Sequence, residues 1–225
     1  MHFLLVNDDG IGSAGIMALM EAALKRGHRV SMCAPSGQMS AASHRITLSD
    51  PLYVKDYPLN RENAQGFAIT GTPADCVRLA FLGGLVTEPV DGVISGINNG
   101  YNAGLATYYS GTVGAAREAA LLGHPSIAAS IDYKADPAHV QDAAELVLTV
   151  AEKYCHAPQD GFRVLNIYVP DLPRARWGAP VYAPLSDAGI RDGYDRCYAD
   201  RPGTYFWLQA GCEMDPPAEG CDEWY

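Results

Sequence analysis

The sequence of 225 residues predicts an α/β protein with a doubly wound, mostly parallel sheet and a small C-terminal β-rich appendage. Short apolar runs alternate with helix-length amphipathic segments as far as about residue 170, which is the pattern of parallel strands joined by crossover helices. Polar loops rich in glycine follow several of these runs. Beyond this region Pro, Gly, Tyr and Asp dominate, which favours short antiparallel strands. We therefore expect a core at residues 1–170 and an appendage at residues 171–225.

The expected elements follow from apolar periodicity and from capping residues. Ser13 is placed to cap a first helix that runs to about Arg26, and Thr72 is a natural N-cap with Pro73 at the first helical position. Residues 45–66 are expected to be irregular or extended. The expected strands are 3–6, 29–34, 67–70, 90–94, 125–130 and 163–169, and the expected helices are 13–26, 74–82, 113–122 and 138–154.

Charge and cysteine content exclude several classes of protein. A net charge of −10 and the absence of any run of Lys or Arg argue against a nucleic-acid-binding surface. The six cysteines are scattered without a C-x-x-C pair, so no zinc-site spacing is present. No secretory leader and no apolar stretch of bilayer length occur, so we expect a cytoplasmic protein that does not contact a membrane.

Two adjacent carboxylates, Asp8 and Asp9, come directly after the apolar run at residues 3–6 and before a glycine-rich turn. They therefore lie at the carboxyl end of a first strand, the edge where open α/β sheets bind ligands. Like charges this close repel each other unless a positive charge lies between them. A divalent cation would supply that charge, whereas the alternative is an ordinary Asp9-Gly10 turn.

Two further loops at strand ends offer oxygen ligands. Ser40 follows the second strand and offers a hydroxyl, and Asn98 follows the strand at residues 90–94 and offers an amide oxygen. With Asp8 and Asp9 they form an all-oxygen set, which suits Mg²⁺, Mn²⁺ or Ca²⁺ better than zinc. Taken singly, Ser40 could equally be a solvated hydroxyl and Asn98 a turn residue.

Two other functions fit part of this pattern. Residues 10–15 match G-x-G-x-x-G, but Asp8 and Asp9 would lie against a dinucleotide pyrophosphate and no acid ends the second strand, which weighs against an NAD-binding oxidoreductase. A receiver-like signalling domain also binds magnesium with paired acids. It would need a phospho-accepting Asp at the end of its third strand, whereas the strand ending at Ile94 runs into Ser95-Gly96-Ile97-Asn98 and no other expected strand ends in a lone Asp.

Ser110-Gly111-Thr112 begins a helix of small residues and resembles an anion cradle, because free N–H groups and the helix dipole favour phosphate there. The alternative is plain N-capping by Ser110 or Thr112. Together with Asn102, these three residues are the candidates for binding phosphate oxygens through neutral donors.

Five ordered motifs within residues 1–130 resemble the SurE-type 5'/3'-nucleotidases, or stationary-phase survival proteins. They are Asn7-Asp8-Asp9-Gly10, the Ala34-Pro35 loop reaching Ser40, Gly71-Thr72-Pro73-Ala74-Asp75-Cys76, Ser95-Gly96-Ile97-Asn98 with Asn102 and Gly104, and Tyr109-Ser110-Gly111-Thr112-Val113. The resemblance implies a Rossmann-like catalytic core with one divalent metal, most simply Mg²⁺ or Mn²⁺, held by Asp8, Asp9, Ser40 and Asn98. It implies hydrolysis of nucleoside monophosphates, action on short polyphosphate, and a homodimer or homotetramer.

The sequence departs from the family pattern in three places. Ser36-Gly37-Gln38-Met39 replaces the usual Asp and basic residues, Leu105-Ala106-Thr107-Tyr108 lacks the usual acids, and we expect the appendage to be shorter than the family's. Our hypothesis for the mechanism is that the cation activates a water molecule, which Asp8 or Asp9 orients or deprotonates. The sequence leaves open which of the two acids does so.

Overall fold

The computed structural model describes residues 1–158, 161–188, 190–198 and 203–225. The chain divides into two compact units. The first comprises Met1–Asn102 and Thr107–Ala179, and the second comprises Ala103–Ala106 and Pro180–Tyr225.

A seven-stranded sheet forms the centre of the first unit. Its strands are β1 His2–Val6, β2 Arg29–Pro35, β3 Val54–Asp56, β4 Ala64–Ile69, β5 Gly92–Asn99, β6 Ser126–Ile131 and β7 Leu165–Val169. The order across the sheet is β3-β4-β2-β1-β5-β6-β7, and every pairing is parallel except that of the short edge strand β3 with β4. The mostly parallel α/β sheet expected from the sequence is confirmed.

Four helices cover the sheet: α1 Ala14–Lys25, α2 Pro73–Phe81, α3 Gly111–Leu121 and α4 Pro137–His156. Alternate residues of β1 point into two apolar clusters. Phe3 and Leu5 pack with α1 and α4, whereas Leu4 and Val6 pack with α2 and α3. The sheet is therefore buried on both faces, as its continuous apolar strands require.

The structure corrects two boundaries. Residues 45–66 contain β3 and the start of β4, which the weak β-propensity of Ala64-Gln65-Gly66 does not indicate; hydrogen bonding to β2 supplies the order that propensity lacks. Strand β5 continues to Asn99, past the expected end at residue 94, because pairing with β6 resumes after a bulge between Ser95 and Asn98.

The strand order places a topological switch point between β1 and β5. From β1 the chain crosses to β2 and β4 on one side, and it then returns to β5, β6 and β7 on the other. Crossover connections diverge at such a point and leave a crevice at the carboxyl ends of the two strands, where α/β proteins bind ligands. Asp8 and Asp9 follow one of these strands, and Asn98 and Asn99 end the other.

The second unit contains an antiparallel hairpin of β8 Ile190–Tyr198 and β9 Thr204–Met214. Asp222 accepts hydrogen bonds from the backbone N–H groups of Gly104, at 2.8 Å, and Ser186, at 2.7 Å, and so ties the segments of this unit together. The antiparallel strands expected after the core are confirmed, although β8 and β9, at 9 and 11 residues, are longer than expected. Within the described ranges, no helix combines the length and apolar character needed to cross a bilayer.

Helices α1 and α4 are joined by Arg26, which lies at the C-terminal end of α1. Its guanidinium donates to the Glu145 carboxylate at 2.6 and 3.1 Å, to Thr149 Oγ1 at 3.0 Å and to Glu152 Oε2 at 3.2 Å. These three partners are spaced four and three residues apart and therefore lie on one face of α4. His28 Nε2 and Glu152 Oε1 lie 2.7 Å apart beside them.

We expect Arg26→Lys to lower the free energy of unfolding by about 1–2 kcal/mol, because an ammonium group cannot reproduce the planar fork of hydrogen bonds. The measurement is urea denaturation at neutral pH. Arg29→Lys is the matched control, because Arg29 pairs with Glu88 on the surface, where both side chains are about half exposed. That control should change stability by less than about 0.5 kcal/mol. Equal effects of the two substitutions would contradict the account.

Candidate active site

Asp8 and Asp9 are held at the tip of β1 by backbone and side-chain donors from two other elements. The Asp8 carboxylate, in a residue only 5% exposed, accepts the Thr112 hydroxyl at 2.6 Å and the Thr112 N–H at 3.2 Å. Asp9 is more accessible, and its Oδ2 accepts the N–H of Asn99 at 3.1 Å. The first turn of α3 therefore fixes one carboxylate, and the end of β5 fixes the other.

Helix α3 approaches Asp8 closely because its first residue is glycine. A Cβ at Gly111 would lie 3.0 Å from Asp8 Cβ and 3.1 Å from Asp8 Oδ2. The Ser110 hydroxyl caps the helix by accepting the N–H of Val113 at 3.0 Å. Asp8 thus lies at the positive end of the helix dipole, where a carboxylate is stabilised.

Burial nevertheless raises the pKa of both acids. Desolvation is the main cause for Asp8, opposed by the hydrogen bonds from Thr112 and reinforced by the negative charge of Asp9. Desolvation also raises the pKa of Asp9, opposed by the N–H of Asn99. Among the described residues, no Lys, Arg or His forms an ion pair with either carboxylate. The two negative charges are therefore not balanced by a cationic side chain.

The loop after β2 brings Ser40 to this edge of the sheet. The Met39 N–H donates to the Asp8 backbone carbonyl at 2.7 Å, and the Ser43 N–H donates to the Tyr109 carbonyl at 2.9 Å. Ser40 is exposed, and its hydroxyl makes no hydrogen bond to any residue that the structure describes. The loop is anchored on both sides of Ser40, and the hydroxyl itself is available to a ligand.

Asn98 and Asn102 lie together beyond the bulge of β5. The Asn98 amide nitrogen donates to the Gly100 carbonyl at 2.7 Å and to Asn102 Oδ1 at 3.3 Å, which leaves the Asn98 amide oxygen for another partner. Asn102 is only 5% exposed, and its Nδ2 is buried without a hydrogen-bond acceptor among the described residues. A buried donor without a partner is costly, so a ligand oxygen would satisfy it.

The four residues expected to bind phosphate differ in whether their hydrogen-bond donors are already used within the protein. Both donors of Thr112 are used by Asp8, and the Ser110 hydroxyl is used as the helix cap. Gly111 provides space for Asp8, and its N–H lies in the first turn of α3. Asn102 Nδ2 is buried without a described acceptor, and the Ser110 hydroxyl, whose oxygen accepts the Val113 N–H, donates to no described residue.

Several residues that organise the site gave little signal in the sequence. Glu118, a buried acid on α3, binds His44 Nε2 at 2.7 Å and Arg78 at 2.8 Å, which fastens the loop that carries Ser40. The sequence feature that could have indicated Glu118 is that it is a single acidic residue within a helix of mostly small residues. Asn99 has no distinguishing pattern in the sequence, and its contact with Asp9 follows from the tertiary arrangement alone.

The glycines of residues 10–15 have structural reasons that do not involve a dinucleotide. Gly10 adopts φ of 99°, and a Cβ at Gly15 would lie 2.0 Å from the Ile97 carbonyl oxygen. Helix α1 therefore needs Gly15 in order to pack against β5. The Asn7 amide stabilises the turn between β1 and α1 by donating to the Gly10 carbonyl at 2.9 Å and to Ser13 Oγ at 2.7 Å.

The donor set fits a hard divalent cation. Asp8 and Asp9 follow β1, Ser40 lies in the loop after β2 and Asn98 lies near the end of β5, and each offers an oxygen atom as a ligand. Within the described part of the chain, no group of three or more His, Cys, Asp or Glu side chains could hold a metal ion. That finding is compatible with this set, because a hydroxyl and an amide supply half of its ligands.

The chain is similar to known proteins of one family. A family model described as survival protein SurE matches residues 3–190. The 5'-nucleotidase SurE of Desulfitobacterium hafniense is 39% identical over 217 residues, which cover 94% of this chain and 80% of the relative. The protein of the same description from Synechococcus sp. is 38% identical and covers 99% of this chain and 86% of its own. The crystal structure of the Sure protein from Aquifex aeolicus has a TM-score of 0.80 at 31% identity, covering 100% of this chain and 88% of that one.

Asp75 on α2 fixes the segment that follows His44. Its carboxylate accepts the Thr47 N–H at 2.9 Å, the Thr47 hydroxyl at 2.7 Å and the Thr72 N–H at 2.9 Å. Burial alone would raise the pKa of Asp75, but the hydrogen bonds from Thr47 and Thr72 outweigh it and hold the pKa below its usual range.

We expect Asp75→Asn to cost about 2–4 kcal/mol of stability at neutral pH, because an amide cannot accept all three hydrogen bonds of the carboxylate. The pKa of Asp75 is lowered in the folded state, so its contribution is complete above about pH 4 and is lost as the pH falls through the folded value. Urea denaturation of the variant from pH 7 to 3 should therefore show a shallower acid loss of stability than the wild type. Asp50→Asn, at an exposed position, is the control, and a variant with an unchanged acid slope would contradict the assignment.

Proposed function

This chain belongs to the SurE survival-protein family, and we propose that it is a metal-dependent phosphomonoesterase that hydrolyses nucleoside monophosphates to nucleoside and phosphate. One observation carries the proposal. Asp8, which is buried, and Asp9, which is half-buried, lie at the β1/β5 switch point without a cationic partner among the described residues, and an unpaired amide donor of Asn102 lies just beyond the end of β5. Repelling acids beside free donors suit a cation that binds a phosphate.

The substrate class has support of two kinds. The curated relatives are named 5'-nucleotidases, which favours nucleoside 5'-monophosphates for this chain. Action on 3'-monophosphates and on short polyphosphate is a further part of the proposal, and it rests on the family resemblance of the motifs. The family match argues against the receiver-like and NAD-binding alternatives.

For the cofactor we propose one divalent ion held by Asp8, Asp9, Ser40 and Asn98. Mg²⁺ and Mn²⁺ are the expected ions, and Ca²⁺ suits the same oxygen ligands. A bound ion would neutralise charge that develops on the phosphate and lower the pKa of a bound water.

The side chains of this chain then have separate roles in the mechanism. Asp8, with its carboxylate hydrogen-bonded to Thr112, serves as a fixed ligand. Asp9 accepts a single described hydrogen bond, through Oδ2, and its more exposed carboxylate orients the attacking water and accepts its proton. Asn102 Nδ2 and the Gly111 N–H at the start of α3 donate to phosphate oxygens, which stabilises the transition state through neutral donors.

We expect phosphate release from AMP to require added Mg²⁺ or Mn²⁺ and to stop with EDTA. Asp8→Asn and Asp9→Asn should each lower kcat/KM by at least about 100-fold, because each removes one anionic ligand of the cation. The measurements are phosphate release and the thermal melting temperature of each variant. Asp50→Asn, an acid outside the site, should retain wild-type activity. Full activity in Asp9→Asn, or in the presence of EDTA, would contradict the proposal.

We also propose that the protein is a homodimer or homotetramer in which a second copy covers the β8–β9 hairpin. Large apolar side chains of this hairpin are exposed: Tyr194, Tyr205, Phe206, Trp207 and Leu208 are each between 48% and 69% accessible. A two-stranded ribbon with both faces in water is only marginally stable, and apolar patches of this kind mark protein interfaces.

We expect sedimentation velocity to give a mass that is two or four times the chain mass of 24.1 kDa. The double variant Phe206→Ser/Trp207→Ser should shift the protein toward the single-chain mass, because it removes the largest apolar groups of the hairpin. Phe162→Ser, which removes an exposed aromatic side chain in the first unit, is the control and should leave the mass unchanged. A wild-type protein that sediments as one chain at micromolar concentration would contradict the proposal.

A further inference from the structure

A groove of about 640 Å³ opens from Asp9 within the first unit. The first turns of α1 and α4 form its walls, and the ends of β5 and β6 form its floor. Asp9 and Asn99, which are joined by a hydrogen bond, line its end nearest the candidate metal site. Anything bound in this groove would therefore lie directly beside the phosphate-binding edge of the sheet.

The groove has an apolar lining that the fold leaves partly uncovered. Met17 and Ala18 on α1 and Val140 on α4 are only half-buried, although each packs against the main apolar cluster. Ile97 and Ile131 close the floor and are fully covered. Half-buried apolar side chains that converge on one concave surface are typical of a small-molecule site.

The groove is lined by three charged residues, Asp9, Glu21 and Lys134. Glu21 at its rim is paired with Arg61 at 2.8 Å. Lys134 is the one cationic residue of the lining, and its backbone N–H donates to Asn99 Oδ1 at 2.8 Å. Gln38 and Gln141 contribute exposed amide groups, and the side chain of neither is hydrogen-bonded to a described residue.

We propose that this groove binds the base and ribose of the nucleotide while the phosphate lies at Asp9, so that the groove selects nucleotides over other phosphate esters. The inference rests on the proposed function and identifies which surface recognises the leaving nucleoside. The volume exceeds that of a nucleoside and lies within the usual range of about 300–1,000 Å³ for small-molecule pockets. Apolar walls cover the base, and the Gln38 and Gln141 amides match the polar edges of base and ribose.

The same lining disfavours a polyphosphate chain in the groove. A polyanion would need several cationic side chains or backbone donors along its length. Here a single lysine faces two carboxylates, and the walls are otherwise neutral. The groove therefore favours a neutral nucleoside, and polyphosphate would contact only the phosphate-binding end.

The decisive experiment is to fill the groove and compare two substrates of different size. Ala18→Phe places a ring against the groove wall, and it should raise KM for AMP at least about 10-fold, because base contacts are lost. The kcat/KM for methyl phosphate, which has no nucleoside, should change by less than 2-fold. Ala138→Phe is the matched control, since Ala138 is exposed on α4 and does not line the groove. It should leave both substrates unaffected.

A second variant protects the test against a folding defect in Ala18→Phe. Gln141→Trp changes an exposed residue at the rim of the groove and should also raise KM for AMP selectively. Unchanged KM for AMP in both variants, or equal losses for AMP and methyl phosphate in folded protein, would overturn the inference. Selective loss of tripolyphosphate hydrolysis would also overturn it, because the groove would then hold a phosphate chain.

Binding of adenosine separates this inference from the proposed function. In the wild-type protein with Mg²⁺, adenosine should shift the NMR signal of the Met17 methyl group, and the shift should disappear in Ala18→Phe. If no phosphate ester is hydrolysed but adenosine still binds at Met17, the proposed activity fails and the assignment of the groove stands. If esters are hydrolysed and adenosine shifts no groove residue, the activity stands and the groove assignment fails.

Discussion

The arrangement of the whole site depends on the hydrogen bonds between Asp8 and the first turn of α3. Asp8 is almost fully buried and lies next to a second acid, Asp9. Among the described residues, no cationic side chain pairs with either carboxylate. The Thr112 hydroxyl and N–H, at 2.6 and 3.2 Å, offset part of the cost of burying this charge. They also join β1 to α3, so the acid that would bind a cation and the helix end that would face a phosphate are held as one rigid unit.

The elements of the site are positioned by close contacts between neighbouring backbones. These contacts require glycine, which has no side chain, at particular positions. Gly111 allows α3 to reach Asp8, and Gly15 allows α1 to reach the Ile97 carbonyl. Gly114 allows the loop at Ser43 to lie against α3, where a Cβ would be 2.3 Å from the Ser43 carbonyl oxygen. Each contact brings two elements that surround Asp8 and Asp9 close together, which explains the glycine at each of these positions.

The sequence predicted the fold class and most elements, because strands β1, β2, β6 and β7 are apolar runs between clear turn signals. It could not predict that β5 continues to Asn99, since Ser95 and Gly96 have the composition of a loop and only pairing with β6 makes them a strand. The candidate ligands followed from their positions at strand ends. The residues that hold these ligands in place could not be predicted in the same way. The contacts of Thr112 with Asp8 and of His44 with Glu118 join residues that are 104 and 74 positions apart in the sequence. No local pattern encodes such pairs.

The central claim is that Asp8 and Asp9 form a cation site that Thr112 holds in place, and calorimetric titration with Mn²⁺ tests it most directly. The account predicts one ion bound per chain, similar affinity in Thr112→Ser, which keeps the hydroxyl, and about 10–100-fold weaker binding in Thr112→Val. Absence of Mn²⁺ uptake by the folded wild-type protein, with or without phosphate, would contradict it.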